Sequence, residues 1–378
     1  MRERAETFLK REIAVLTAGI LSLISCFFAS PGERLLHYWN PRFLMLLFCY
    51  LLTTQGMKEC NAGERGLLRL LCGAKSLRGV QLRLLLLSFL LSMFLANELV
   101  LLLIFPLTIQ VFSHSPNTKV LLIHTLVLLT LSVSLGGMLL PFGNMQNLYL
   151  YTQYGYSLPR LFRIMLPFSA FGFLLLLLLA LCFRRKERAP GFEPAPGYGV
   201  VKWQDFRFYL LLFLLTIAAS LPLLPDRWIL PPLLLIAAAV LLRDRRMLLR
   251  LDYSVLVLFF FLSLLGGNLE AIGSIGSFVT EKIWGHETLY SVLLSQLLGN
   301  VPTAVLLSRF TTNGRNLIVG CNLGGMGLFW ASMTGLQSIR LYARLQYGDL
   351  RRYLLHYAAI SLELLAAMLF LALFTGNL

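Results

Sequence analysis

The sequence predicts an all-α polytopic membrane protein, and three observations carry that prediction. Of its 378 residues, 57% are hydrophobic and only 13% charged, where a soluble chain carries about 25% charged residues. Apolar stretches of about 17–25 residues, long enough to cross a bilayer, recur along the whole chain. Nothing alternates with period two as the strands of a membrane barrel would.

The net charge of +15 would suggest nucleic acid in a soluble protein. Here no basic–aromatic module accompanies it, so nucleic-acid binding is not expected. The basic residues instead cluster on alternate loops. With Met1 on the cytoplasmic side, 25 of the 33 lysines and arginines fall in cytoplasmic segments, including Arg184–Arg207 and Arg340–Arg352. By the positive-inside rule the orientation is N-in and C-out, with about nine crossings.

Residues 1–41 hold a first apolar helix, about 13–30, and a turn at Pro31-Gly32. Within that helix Leu23-Ile24-Ser25-Cys26 looks like a bacterial lipidation box, although the segment is long for a signal peptide. The first repeat occupies 42–183. It has a span at about 43–58, a basic, partly amphipathic segment at 59–82, and a pair of short apolar pieces, Leu84–Phe94 and Leu99–Phe112, separated by Ala96-Asn97-Glu98. Lys119–Leu135 follows, broken by Gly136-Gly137 and again by Pro141, Gly143, Asn144, Gln146 and Asn147, before a clean span at 164–183. A Pro/Gly-rich linker, 184–207, leads to connecting helices in 208–249, about 208–224 and 228–242, around Pro225-Asp226-Arg227.

Residues 250–378 repeat this order. A span at 252–266 leads into Gly266-Gly267-Asn268-Leu269-Glu270 and an amphipathic stretch. Leu289–Leu298 and Thr303–Phe310 flank Gly299-Asn300-Val301-Pro302, and a span from Leu317 is broken by Gly320, Asn322, Gly324, Gly325 and Gly327 before the last span, about 354–374. Two short echoes support the repeat: Gly136-Gly137-Met138 ahead of Gln153-Tyr154-Gly155, and Gly324-Gly325-Met326 ahead of Gln346-Tyr347-Gly348. An odd number of crossings between the halves makes them opposite in orientation, the inverted-repeat plan of many secondary transporters.

Unpaired backbone groups in hydrocarbon cost several kcal/mol each, so interrupted helices persist only inside protein or beside water. The four breaks are therefore the expected substrate- and ion-binding residues: Asn97 and Glu98; Gly136, Gly137, Gly143, Asn144, Gln146 and Asn147; Gly299, Asn300 and Pro302; Asn322, Gly324 and Gly325. Half-helix N-termini suit an anion, while backbone carbonyls and asparagine oxygens suit a small cation. Glycine pairs also serve close helix packing, and Asn97 or Asn300 could be interfacial caps. Glu98 is the only carboxylate in the breaks, and an ionisable group inside a membrane segment is a functional candidate by default. Glu270 and Glu363 are weaker ones, and His124 and Gln296 read as packing residues.

At these breaks the chain resembles a known family. Leu91-Ser92-Met93-Phe94-Leu95-Ala96-Asn97-Glu98 with Pro106-Leu107-Thr108, the run Gly136 to Asn147, and Ser295-Gln296-Leu297-Leu298-Gly299-Asn300-Val301-Pro302 are similar to the motifs of the ion transporter superfamily. That superfamily holds the citrate transporter-like and arsenical permease-like proteins, and the chain is most like its bacterial inner-membrane anion-permease-like branch. The resemblance implies an elevator-type transporter with two re-entrant hairpins and two broken helices, whose tips and unwound loops hold substrate and coupling ions. It also implies a small anion, carboxylate or oxyanion, as substrate and Na+ or H+ as coupling ion, with no resident cofactor or metal. Ala96 and Gly299 stand where relatives carry Ser or Thr, so two hydroxyls suited to sodium are missing. A carboxylate in low dielectric binds a proton more readily, which makes Glu98 the expected proton-coupling residue.

The expected setting is the inner membrane, with the bilayer as partner and a homodimer left open. Two other functions compete with anion transport. A sodium/proton antiporter would need titrating carboxylates such as Glu98. An integral-membrane enzyme on lipid-linked substrates would need clustered His, Asp and Glu at one face, whereas His37, His114, His124, His286 and His356 are scattered in sequence. An enzyme is not expected.

Overall fold

The computed structural model describes residues 2–29, 35–60, 76–113, 119–182, 202–221, 230–345 and 348–377. The turn at Pro31-Gly32, most of the 59–82 segment, most of the 184–207 linker, Pro225-Asp226-Arg227 and the echo at Gln346-Tyr347 lie outside them. The described residues are almost entirely helical, as apolar chain in a membrane requires: only a helix satisfies its own backbone there.

The chain opens with α1 (Arg2–Phe28), a short α2 (Leu35–Tyr38) and α3 (Pro41–Glu59). Asn40 caps α3 by accepting from Phe43 N, with Pro41 at the first position, where its missing N–H costs nothing. Then come α4 (Leu77–Phe94), capped by Ser76, α5 (Asn97–Ser113), α6 (Lys119–Gly137), α7 (Met145–Gln153) and α8 (Leu158–Cys182). Helices α9 (Trp203–Ser220), α10 (Leu230–Asp244) and α11 (Arg246–Arg250) connect to the second half. That half comprises α12 (Ser254–Ala271), α13 (Gly273–Ile283), α14 (Glu287–Leu298), α15 (Asn300–Leu307), α16 (Gly314–Gly324), a 3-10 turn at Phe329–Ala331, α17 (Met333–Ala343) and α18 (Leu350–Phe374).

Five of these helices, α4, α6, α8, α12 and α18, are long and apolar enough to cross a membrane. They differ in what surrounds them. In α6, 83% of the spanning window is buried inside the protein, against 33% in α8 and 39% in α18. A helix apolar on every side is a core helix, and α6 is the axis around which α4, α5, α8, α17 and α18 pack. Serines and threonines along it bind carbonyls or each other; Ser88 Oγ on α4 donates to Ser132 Oγ on α6 at 3.1 Å, and Gln81 Nε2 to Thr125 Oγ1 at 3.1 Å.

One large apolar core joins both halves, and a second, smaller one gathers Leu46, Cys49 and Leu52 of α3 with Tyr209 and Leu212 of α9 and Leu233, Ile236 and Val240 of α10. The packing between the halves is reciprocal: α5 of the first packs on α17 of the second, and α15 of the second packs on α7 of the first.

Local boundaries differ from the hydropathy reading in one instructive place. The residues Gly266 to Glu270 do not break α12, which runs on to Ala271. A side chain at Gly267 would collide with the ring of Tyr38. The glycine is there for α2 to lie against the helix, and the helical hydrogen bonds survive. Glu270 ends half-exposed, 4.0 Å from Arg309.

Candidate functional site

Both short-piece pairs are real breaks. Between α4 and α5 the chain is extended at Leu95, with φ −109° and ψ 150°, and Asn97 becomes the first residue of α5. Between α14 and α15 the single residue Gly299 turns the chain at φ 90° and ψ 156°, a conformation available essentially to glycine alone. Asn300 then opens α15, with Pro302 in its first turn.

Each tip is locked against a glycine pair at the end of the helix beside it, and in the same way. In the first half Ser92 and Asn97 face Gly136 and Gly137: a methyl on Gly136 would overlap the Phe89 carbonyl oxygen and Ser92 Oγ, and one on Gly137 would overlap the Asn97 amide. In the second half Ser295 and Asn300 face Gly324 and Gly325: the corresponding methyls would lie 2.6 Å from Ser295 Cβ and 2.7 Å from Asn300 Nδ2. Serine and asparagine are five residues apart in both tips. From each glycine pair onward the two stretches 136–147 and 324–335 run in step without a gap. Met138 matches Met326, and Asn144, the N-cap of α7, matches Ser332, the N-cap of α17.

Asn97 is fully buried and joins the halves. Turned so that its nitrogen meets acceptors, Asn97 donates from Nδ2 to the carbonyl oxygens of Gly143 and Val133, each 3.2 Å away, and accepts at Oδ1 from Thr334 Oγ1 at 3.2 Å, with the Asn144 side chain lying against the same amide. Its backbone N–H donates to Gly143 O at 3.0 Å. Asn147, also fully buried, donates to the carbonyls freed at the end of α6, Gly137 O at 3.3 Å and Met138 O at 3.2 Å. Its Oδ1 accepts from Asn322 Nδ2 of α16 at 2.7 Å. Asn322 Oδ1 is buried with no partner, and so is Ser295 Oγ. Buried polar atoms left without a partner call for an explanation; Asn322 stands where the two halves meet, and Ser295 lies against Gly324 at the second tip.

The structure thus brings Asn97, Gly137, Gly143, Asn144, Asn147 and Asn322 into one cluster, with Asn300, Gly324 and Gly325 beside it on the second half. Gly136 is a packing contact. Gln146 is buried, and Pro302 is half-buried and shapes α15. Glu98 is half-buried on the flank of the first tip, near Tyr50, whose hydroxyl donates to Phe142 O. Among the described residues it has no ion-pair partner.

Four residues do more than their surroundings in the sequence suggest. Gln296, one residue after Ser295, does for the second glycine break what Asn147 does for the first. Its Nε2 donates to Gly324 O and Met326 O, both at 2.7 Å, and its Oε1 accepts from Leu328 N at 2.9 Å. An amide that can both donate and accept amid broken backbone was the available signal. Glu287, 3% exposed at the start of α14, accepts from Thr311 Oγ1 at 3.2 Å and Asn313 Nδ2 at 3.3 Å, tying α14 to the start of α16. Acids are common in first helical turns, so nothing in the sequence marks it. His124 on α6 and His356 on α18 meet at 2.9 Å, although 232 residues apart.

The family described as "Citrate transporter" matches residues 3–335. The chain belongs to the citrate transporter family. It is 30% identical over 268 residues to a protein of Methanocaldococcus jannaschii described as "Uncharacterized transporter MJ0456", covering 71% of this chain and 72% of that one. It is 26% identical over 269 residues to "Inner membrane protein YbiR" of Escherichia coli, covering 67% of this chain and 66% of that one. Family membership and the apolar helices make the protein a multi-pass membrane protein in contact with lipid, of a transporter class rather than an enzyme class.

Proposed function

We propose that this citrate transporter family member is a secondary-active permease for a small anion, a carboxylate or oxyanion, driven by an ion gradient. The observation that carries the reading is the buried cluster at which Asn97, Asn147 and Asn322 bridge two halves with matching breaks. Amide donors and half-helix N-termini supply the groups an anion needs. The unpartnered Asn322 Oδ1 supplies an acceptor for a cation or a donor group. Asn97 and Asn147 are fully buried, so a ligand reaches them only when the halves move relative to one another.

The matched tips and the reciprocal packing of α5 on α17 and α15 on α7 support an inverted repeat over 42–183 and 250–378, with α4–α5 and α14–α15 as re-entrant hairpins. The rest of the architecture follows from it: N-in and C-out in an inner membrane, about nine crossings, the 184–207 linker between the halves, and elevator-type movement of the hairpin-bearing part against α3, α9 and α10. A thermal-stability screen of the purified full chain against small carboxylates and oxyanions, with and without sodium, tests the reading, because a ligand that binds only the folded state raises its melting temperature. Stabilisation by an anion is expected; stabilisation by no anion would count against it.

Glu98 is proposed as the proton-coupling group. Uptake into vesicles by Glu98→Gln should lose the pH dependence of the parent, and an unchanged profile would sink that role. The same carboxylate, half-buried without a cationic partner among the described residues, favours a second reading as a sodium/proton antiporter. Sodium-driven proton flux in the absence of any anion would select it.

A further inference from the structure

The two histidines that sequence reading leaves as scattered packing residues are joined. His124 Nδ1 and His356 Nε2 lie 2.9 Å apart, with ring centroids separated by 5.2 Å. One ring sits on α6, the most enclosed helix, and is 4% exposed; the other sits on α18 and opens onto a surface crevice of about 420 Å³ lined by Asp349, Arg352, Leu355 and Ala359. Two nitrogens at that distance share one proton: one ring donates and the other accepts. One added proton leaves an imidazolium still donating to a neutral ring, whereas protonation of both rings removes the acceptor and sets two cations against each other at hydrogen-bond distance, where like charges repel strongly.

Both helices lead to the site. His124 is 12 residues before Gly136, about 18 Å along α6 at 1.5 Å per residue. One and a half turns after His356, Ser361 Oγ accepts from Gly327 N at 2.8 Å, holding the loop that follows Gly324-Gly325. Whatever parts α18 from α6 therefore pulls on the second glycine break.

The groups facing the pair do not compete with it. On α18, Arg352 lies one turn before His356 and Glu363 two turns after it on the same side, with Asp349 and Arg351 at the helix start. At the same end of the neighbouring helices stand Lys119 on α6, Arg78 and Arg83 on α4, Arg340 and Arg344 on α17, and Cys182 on α8. Between pH 5 and 7.5 the lysine and arginines keep one charge state, carboxylates titrate below that window and thiols above it, and imidazole is the side chain that changes.

We propose that His124 and His356 form a proton-binding site that clasps α18 to α6 when neutral and releases it when doubly protonated. This stands apart from what the central cluster carries; that release reaches the transported ligand rests on the transport reading. The folded pair holds fewer protons than the same two histidines in the unfolded chain, so stability falls as pH falls through the histidine range. Each proton of difference weakens the folding equilibrium about tenfold per pH unit.

The test is the melting temperature of the detergent-purified full chain between pH 8 and 5, for the parent and for H124Q, H356Q and H124Q/H356Q. The parent should lose stability on the acid side, and each substitution should flatten that limb, whatever it does to stability at pH 8. In the parent background, E363Q, which removes an anion that favours the protonated ring, should deepen the acid limb and carry it on to lower pH, and R352Q should make it shallower, changes that a merely structural contact would not give. Superimposable acid limbs in the parent and the histidine variants would overturn the proposal. So would charge substitutions at Glu363 and Arg352 that leave the limb in place.

Discussion

The two tips use the same parts to different degrees. At the first, Asn97 is fully buried and its amide is saturated by two carbonyls, a hydroxyl of the opposite half and the Asn144 amide. At the second, Asn300 is 6% exposed and packs on Gly325, while the backbone freed at the glycine break is held by Gln296 instead. The first tip turns through extended, ordinary backbone at Leu95, the second through a glycine-only conformation at Gly299. Asn97 is therefore a structural bolt as much as a binding group. Asn300 and the unpartnered oxygens of Ser295 and Asn322 are the less committed side, where a ligand would find free bonding capacity. A pseudo-symmetric pair of motifs does not imply a symmetric site.

The contrast can be broken most forcefully at the glycines. Gly136→Ala places a methyl against a backbone carbonyl oxygen, and Gly324→Ala places one 2.6 Å from Ser295 Cβ and 3.0 Å from Val292 Cα, atoms that side-chain rotation cannot move. Each should cost about 1–3 kcal/mol, the first the more because its approach is closer, by the usual penalties of overpacking; thermal unfolding of both variants in detergent measures the difference. Next comes Asn97→Ala, which orphans buried partners in both halves and should cost about 2–3 kcal/mol, whereas Asn300→Ala should cost under about 1 kcal/mol. If Asn300→Ala proved the more destabilising, the division into bolt and free side would fail. The same pair sharpens the functional reading: Asn300→Ala should reduce the thermal shift given by a bound anion while leaving the apo protein near parental stability.

At the turns, Gly299→Ala should cost about 1–3 kcal/mol because φ there is +90°. The reciprocal Ala96→Gly should cost only about 0.5–1 kcal/mol, the entropy of an added glycine. Equal losses at the two positions would mean that the tips turn alike. Smallest of all, removing the exposed ion pair between Arg243 and Asp205, 2.8 Å apart on the connecting helices, should change stability by less than about 1 kcal/mol, and so serves as a control away from either tip.

Much of this was legible before any coordinates. The breaks at Asn97, Gly136-Gly137, Asn300 and Gly324-Gly325 stand out because polar and glycine residues inside apolar runs are locally improbable. The span expected to end at Gly266 instead runs on to Ala271, its glycine pair serving the approach of Tyr38. The same logic passed over Gln296, because a lone amide beside a leucine run looks like packing. Glu287 was hidden by being an ordinary first-turn acid, and His124 and His356 by lying far apart in the chain and each being unremarkable on its own helix.

The sequence by itself determined the class, the order of helices and breaks, and the charge bias along the chain. These follow from what each stretch prefers as solvent, a property summed over neighbours in the chain. Only the tertiary structure decided which breaks meet, that α5 lies on α17 and α15 on α7, that Asn97 reaches Thr334, and that two histidines share a proton. Those contacts join residues 157 to 237 positions apart. They depend on which helix faces pack together, and the preferences of single apolar helices, nearly uniform around their circumference, leave that choice open.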